Sequence, residues 1–373
     1  MAAGAGAAGG GGGGGEEDVS AERPYLFKVN KEVMQGLRLS RIMGQVAQVQ
    51  QHLGRAEKNA EEATLNSIDF HNSEMLLVAA DDTDALSLYD IAEGKRRGRL
   101  ISQKYGVRNV ICTRSSNNVL HSSKPSSSSS AAGDVIRYWS LHTNTYVRYF
   151  PGHSKPVTSL CMAPDSDAFM SAGLDEQVYV WDLKKKGAAA VLPATGKHPY
   201  AQYDHQGLVA AIATEDAIRL FDIRYWEKGP FIKFQKHPWE CKCMRFSNDG
   251  GKLLVVGGGT IKVLDAIVGT ELFSMNNNCK PHEQPEACFD PSSEYVLSGC
   301  QDGYVRVWRA PGGSASDTCG IGEDVSRLHV PHKTVPRVLK WAPTCLLLAS
   351  GGEDLRFWVP EVEVLARQHE NEG

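Results

Sequence analysis

Histidine, serine, aspartate and tryptophan recur in this chain in one order and at one spacing. His153, Ser171, Asp175 and Trp181 form one set, and His282, Ser298, Asp302 and Trp308 form another. In both, serine to aspartate is four positions and aspartate to tryptophan is six. A third set, His332, Ser350, Asp354 and Trp358, fits if its hairpin is two residues shorter. Serine, histidine and aspartate together could activate a nucleophile by the triad logic of hydrolases. A set that repeats and always ends in Trp reads otherwise. A buried indole N–H must be paired, and a relay from Trp through Ser and His to Asp pairs it while clamping two loops. The expectation is therefore a structural relay and no catalytic residue.

The elements that must position these groups follow from the spacing of one large residue. Tyr89, Trp139, Trp181, Phe221, Leu264, Trp308 and Trp358 are separated by 50, 42, 40, 43, 44 and 50 residues. Stretches such as Val178-Tyr179-Val180-Trp181, Ile218-Arg219-Leu220-Phe221 and Val305-Arg306-Val307-Trp308 alternate with period two, as half-buried strands do. A repeat of about 40 to 45 residues ending in Trp is the signature of a WD-repeat β-propeller, so seven marks predict an all-β, seven-bladed ring. Radial repetition leaves only short, protected sheet edges. Thr83, Glu215 and Gly258 stand six residues before their marks where Asp175 and Asp302 stand in the complete sets, so those blades are degenerate.

Composition restricts the function classes. The chain has 373 residues, 42% hydrophobic and 23% charged, with a formal net charge of −4. No stretch reaches the roughly 18 apolar residues of a membrane span, and there is no overall basic charge for wrapping nucleic acid. Lys95-Arg96-Arg97 and Lys184-Lys185-Lys186 are expected to be solvated hairpin turns. Nine scattered cysteines and a Gly/Ala start without a signal-peptide pattern suggest a reducing compartment, with Cys161, Cys243 and Cys288 as buried small hydrophobes. Cys241-Lys242-Cys243 near His237 lacks the second well-spaced pair of a zinc site, so no metal or cofactor is expected. Gly257-Gly258-Gly259-Thr260 lacks the Lys-Ser/Thr ending of a phosphate loop and reads as a turn in blade five.

The expected organisation is a disordered low-complexity head over residues 1–23, a propeller over 24–360, and a solvated tail over 361–373. Val33 to Met43 should be a strand that closes the ring by completing the last blade. A helical insert over 44–62 and a Ser-rich loop over 124–133 interrupt the repeats.

Ser102-Gln103-Lys104-Tyr105-Gly106-Val107, Ile136-Arg137-Tyr138-Trp139-Ser140-Leu141-His142 and Arg148-Tyr149-Phe150-Pro151-Gly152-His153-Ser154-Lys155 are not generic repeat letters. With Lys228-Gly229-Pro230-Phe231, Phe246-Ser247-Asn248-Asp249-Gly250 and Phe357-Trp358-Val359-Pro360, they resemble the WD-repeat protein 82 family, which includes a yeast COMPASS subunit and the plant anthesis promoting factor. The resemblance implies a non-catalytic nuclear scaffold in a complex whose SET-domain enzyme methylates histone three. It also implies coupling to RNA polymerase II and a place in a type-one phosphatase assembly for transcription termination. Lys104, Tyr105, Arg148, Tyr149 and Trp239 lie beside inferred blade junctions and are the candidate partner contacts. A rival reading is the substrate-receptor propeller of a ubiquitin ligase, for which Phe221-Asp222-Ile223-Arg224 approaches the expected Asp-Arg pattern.

Overall fold

A computed structural model describes residues 29–43, 63–72, 75–124, 135–194, 196–234, 240–280, 283, 285–310 and 320–366. The expected disordered head, helical insert and most of the Ser-rich loop lie outside these residues, as do His237, Trp239 and His282. The described chain forms seven sheets, six of four strands and one of five. Their innermost strands pack side by side in a closed circle, blade one against blade seven as well as each blade against the next. All seven marks fall on the third strand of a blade, and all are buried. In five blades the register between third and fourth strands shifts at the mark, as at Val180/Trp181 and Tyr138/Trp139. Such a bulge adds twist and re-aims a side chain, which seats the large residue between neighbouring blades.

Blade seven contains Val338–Trp341, Leu348–Gly351 and Leu355–Pro360, and its outer strand is Leu37–Met43 from the other end of the chain. The N-terminal strand thus closes the ring, but it begins at Leu37 rather than at Val33. Lys31–Gln35 is instead a short helix, because the Asn30 side chain accepts the Val33 N–H and Gly36 ends the turn. Val33 and Met34 both point into the core shared by blades six and seven. A second correction concerns Lys95-Arg96-Arg97, which opens the outer strand of blade one, Lys95–Ile101, rather than a turn. Lys184-Lys185-Lys186 does lie in a turn. Of the tail expected to be solvated, residues 367–373 lie outside the described residues; residues 362–366 are helical, with Val362 80% exposed and Val364 and Leu365 packed on the same core.

Polar contacts join one blade to the next. Ser67 Oγ in blade one accepts the Val110 N–H at 2.9 Å, and Ser159 Oγ in blade three accepts the Ala201 N–H at 2.9 Å. An ion pair between Lys340 and Asp69 links blades seven and one. Gly258 and Gly259, with φ of 58° and 88°, form the two-residue hairpin of blade five, where glycine takes positive φ without the Cβ strain of other residues. The eight described cysteines are free thiols, and no metal-binding cluster occurs among the described residues.

Candidate functional site

Blade three consists of Val157–Met162, Ala168–Gly173, Gln177–Asp182 and Ala188–Pro193. Its strand register puts Ser171 opposite Tyr179 and Phe169 opposite Trp181, so serine and indole share one face. Trp181 Nε1 donates to Ser171 Oγ at 2.8 Å, and Ser171 Oγ lies 2.8 Å from His153 Nε2. His153 Nδ1 is 2.9 Å from an Asp175 carboxylate oxygen, and that carboxylate also accepts the Ser154 N–H at 2.9 Å. Gly173 sits where a side chain would run into the His153 ring. The serine is 0% exposed and already accepts from the indole, so a substrate carbonyl has no way to reach it.

Blade seven repeats the arrangement. Trp358 Nε1 donates to Ser350 Oγ at 2.8 Å, His332 Nε2 lies 2.8 Å from that oxygen, and His332 Nδ1 is 2.9 Å from Asp354. Arg356 adds a guanidinium contact to Asp354 at 3.0 Å. Burial alone would raise the Asp354 pKa, but the His332 and Arg356 bonds outweigh it and bring it to about 2. Burial pushes the His332 imidazole below its ordinary value, with Asp354 opposing in part.

In blade six His282 lies outside the described residues, and the described contacts are different. Ser298 Oγ lies 3.2 Å from both the Glu286 and Gly299 carbonyls, which share its one O–H, and Asp302 accepts Arg306 at 2.8 Å. Trp308 is buried in the core between blades five and six.

The candidate contact residues separate into two groups. Lys104, Tyr105 and Tyr149 come together on blade two, which is built from Arg108–Cys112, Asn118–Ser122, Ile136–Ser140 and Thr145–Phe150. Their common centre is Arg137, which spacing alone did not single out. Its Cζ lies 3.6 Å from the Tyr105 ring centroid and 6.0 Å from that of Tyr149, while its NH1 donates to the Val135 carbonyl at 2.7 Å. Lys104 Nζ stands 5.1 Å from the Tyr105 centroid. Tyr146 bridges the Tyr105, Tyr149 and Trp139 rings at 5.6 to 5.8 Å, and its hydroxyl meets Ser102 Oγ at 2.7 Å. Arg137 is 1% exposed whereas Tyr149 is 48% exposed, so the cluster runs from the core to the surface. The signal for Arg137 was its place two residues before Trp139 on one strand, which puts both on one face.

Arg148 is not part of this cluster. It points to the opposite face and donates to the carbonyls of Leu183 and Lys185, joining blade two to blade three. Arg224 folds onto Asp222 at 2.8 Å.

A closed ring of seven blades, each with at least four strands and two of them held by such relays, defines a WD-repeat β-propeller. Residues 144–182 and 279–309 match the family described as WD domain, G-beta repeat. The chain is 35% identical over 306 residues to WD repeat-containing protein 82 of Drosophila melanogaster, covering 80% of this chain and 91% of the relative. It is 36% identical to anthesis promoting factor 1 of Arabidopsis thaliana, covering 79% and 87%. It is 30% identical to COMPASS component SWD2 of Saccharomyces cerevisiae, covering 79% and 90%. The chain belongs to the WD-repeat protein 82/SWD2 family.

Proposed function

We propose that this chain is a non-catalytic subunit of a nuclear COMPASS-type histone lysine methyltransferase complex, which it couples to RNA polymerase II and to a phosphatase complex acting in termination. The observation that supports this most is the 30% identity over nearly the whole length of a relative named as a COMPASS component, joined by a Schizosaccharomyces pombe relative named as a Set1 complex component. The buried, saturated Ser171 supports a scaffold over a hydrolase. In this reading the outer part of blade two, with Lys104, Tyr105 and Tyr149, receives a partner segment. Tyrosine beside a cation combines contact area with little side-chain entropy to lose, as hot spots do.

Purification of the tagged chain from nuclei, with mass spectrometry of what comes along, tests the reading. A SET-domain methyltransferase complex should be enriched, with polymerase and phosphatase subunits in the same or separate assemblies. Absence of any chromatin or transcription complex would overturn it, and methyltransferase, phosphatase or ligase activity of the isolated chain would overturn its non-catalytic part.

A further inference from the structure

The outer strand of a blade presents a row of backbone N–H and C=O groups to whatever lies beyond the sheet. In blade five that row is covered. Gly320–Ile321 runs parallel to Glu271–Asn276, with Gly320 opposite Phe273 and Ile321 opposite Ser274, and the Gly322 N–H donates to the Ser274 carbonyl at 3.3 Å. Within its own blade Ser274 stands opposite Lys262, two residues before the mark Leu264. A residue at that place therefore turns its backbone outward. Blades one and three agree: the Ser102 N–H donates inward to the Asp84 carbonyl and the Ala194 N–H to that of Glu176, so antiparallel alternation turns Arg99 and Val191, three residues earlier, outward.

The same place is held by Arg99, Lys233 and Arg327 in blades one, four and six. Charge on an edge deters a further strand. In blades two, three and seven it is held by Tyr149, Val191 and Ile42, and no further strand covers these edges among the described residues. Ile42 is followed by one described residue, and the exposed neighbour of Val191 is Ala189, with only a methyl to offer. Tyr149 is flanked by the exposed Val147, and its ring lies 5.7 Å from that of Tyr146 and 6.0 Å from the Arg137 guanidinium. A strand added at Tyr149 sets a side chain beside this ring, and such pairs across strands are what stabilise a sheet.

Blade five also shows what the added segment must be. Ile321 takes the central place between two glycines, and a side chain at Gly322 would begin 2.8 Å from Met275 Cγ and 3.3 Å from the Phe273 ring. In blade two Arg148 and Phe150 hold the places of Phe273 and Met275, so large side chains again flank the central residue. We propose that the outer edge of blade two, at residues 148–150, receives an extended segment of a partner protein as a fifth, parallel strand, in which an apolar residue between two small ones lies beside Tyr149. The proposal rests on the reading that blade two meets a partner, and adds how the segment is held and what sequence pattern it carries.

Hydrogen exchange resolved to single amides compares the full chain alone with the chain in the assembly purified with it from nuclei, whichever complex that proves to be. The Tyr149 N–H should exchange about tenfold or more slowly in the assembly, while those of Arg99 and Lys233, on the charged edges, keep their rates. Tyr149→Ala removes the ring, and Tyr149→Pro removes the ring and the outward N–H. Proline is tolerated where an edge N–H faces solvent, so both variants should unfold near the wild-type midpoint. Recovery of the assembly should fall with Tyr149→Ala and by about a further fivefold with Tyr149→Pro, the worth of one hydrogen bond. Equal recovery by the two variants, or unchanged exchange at Tyr149, would overturn the strand. If Tyr149→Ala lowers recovery while exchange is unchanged, only the strand falls; if neither moves, the blade-two contact falls with it. An assembly without a methyltransferase in which Tyr149 is protected would keep the strand and remove the COMPASS reading. Protection that appears in the chain alone as its concentration rises would overturn the proposal, assigning the edge to a second copy.

Discussion

Blades two and three bury the same tryptophan in the same strand and solve its polar problem in opposite ways. In blade three Trp181 donates inward to Ser171, and everything beyond it, His153 and then Asp175, is buried and internally paired. In blade two His121 takes the register position of Ser171 and Arg137 that of Tyr179. The Trp139 indole then donates at the other end of its strand, to Asn144 Oδ1 at 3.2 Å. Freed from the relay, that position holds a cation whose contacts extend through Tyr105 to the exposed Tyr149. A complete relay makes a blade self-contained, whereas its loss leaves polar and aromatic groups directed toward the rim, where a partner can reach them.

The largest expected effect breaks the self-contained blade. Ser171→Ala strands two buried groups, the Trp181 indole N–H and His153 Nε2, at about 1 to 3 kcal/mol each, so chemical denaturation should report a loss of about 4 kcal/mol. Asp175→Ala should cost less, and the double variant should be less destabilised than the sum because the residues act as one network. Strict additivity would show that the relay is not cooperative.

Blade two should respond to pH more than to loss of one hydroxyl. Burial lowers the His121 pKa from 6.5 to about 4, because the folded state prefers the neutral ring. Its stabilisation is complete above about pH 6.5 and is lost as pH falls through 4, a linkage of about 3 kcal/mol for this shift. His332, also depressed by burial, acts in the same direction, and Asp354 enters only below its ordinary 3.8, toward about 2. Unfolding midpoints should therefore fall between pH 6.5 and 4, and His121→Gln should flatten that slope whatever it does to absolute stability. An unchanged slope would clear His121 of this role.

The seven marks were legible because each blade buries one large residue at one strand position, and the relays of blades three and seven because their members are joined by short hairpins. What was missed depended on contacts that spacing does not encode. Arg137 meets Tyr105 from the connection that leads into blade two, more than thirty positions earlier, and Gly320–Ile321 joins the outer edge of blade five in parallel with residues more than forty positions earlier. Lys95–Ile101 has no apolar alternation because an outer strand buries neither face fully. The Lys31–Gln35 helix is a different case: Asn30, Glu32 and Gly36 are cap signals that apolar alternation outweighed. In blade six His282 lies outside the described residues, and among the described ones Arg306 holds Asp302 and Ser298 bonds to backbone.

A smaller effect separates the two faces of one strand. Arg148→Ala removes charged hydrogen bonds to blade three and should cost about 1 to 2 kcal/mol, with Arg148→Lys restoring part of it because one nitrogen, NH1, serves both carbonyls and an ammonium can do the same if it reaches them. If unfolding midpoints do not move, the contact with blade three contributes nothing to stability.

The smallest effect on stability carries the most functional weight. Tyr149 and Lys104 are exposed at the rim while Arg137 remains to hold Tyr105, so Tyr149→Ala with Lys104→Ala should change the unfolding free energy by less than about 0.5 kcal/mol. Recovery of the methyltransferase complex at matched folded protein should nevertheless fall severalfold, because removal of an aromatic anchor typically costs 1 kcal/mol or more of binding. Ser171→Ala, assayed at a temperature where it remains folded, should leave recovery intact. Equal recovery by the rim variant would move the docking surface away from blade two, and loss of recovery with Ser171→Ala alone would show that the closed blade, rather than the open one, faces the partner.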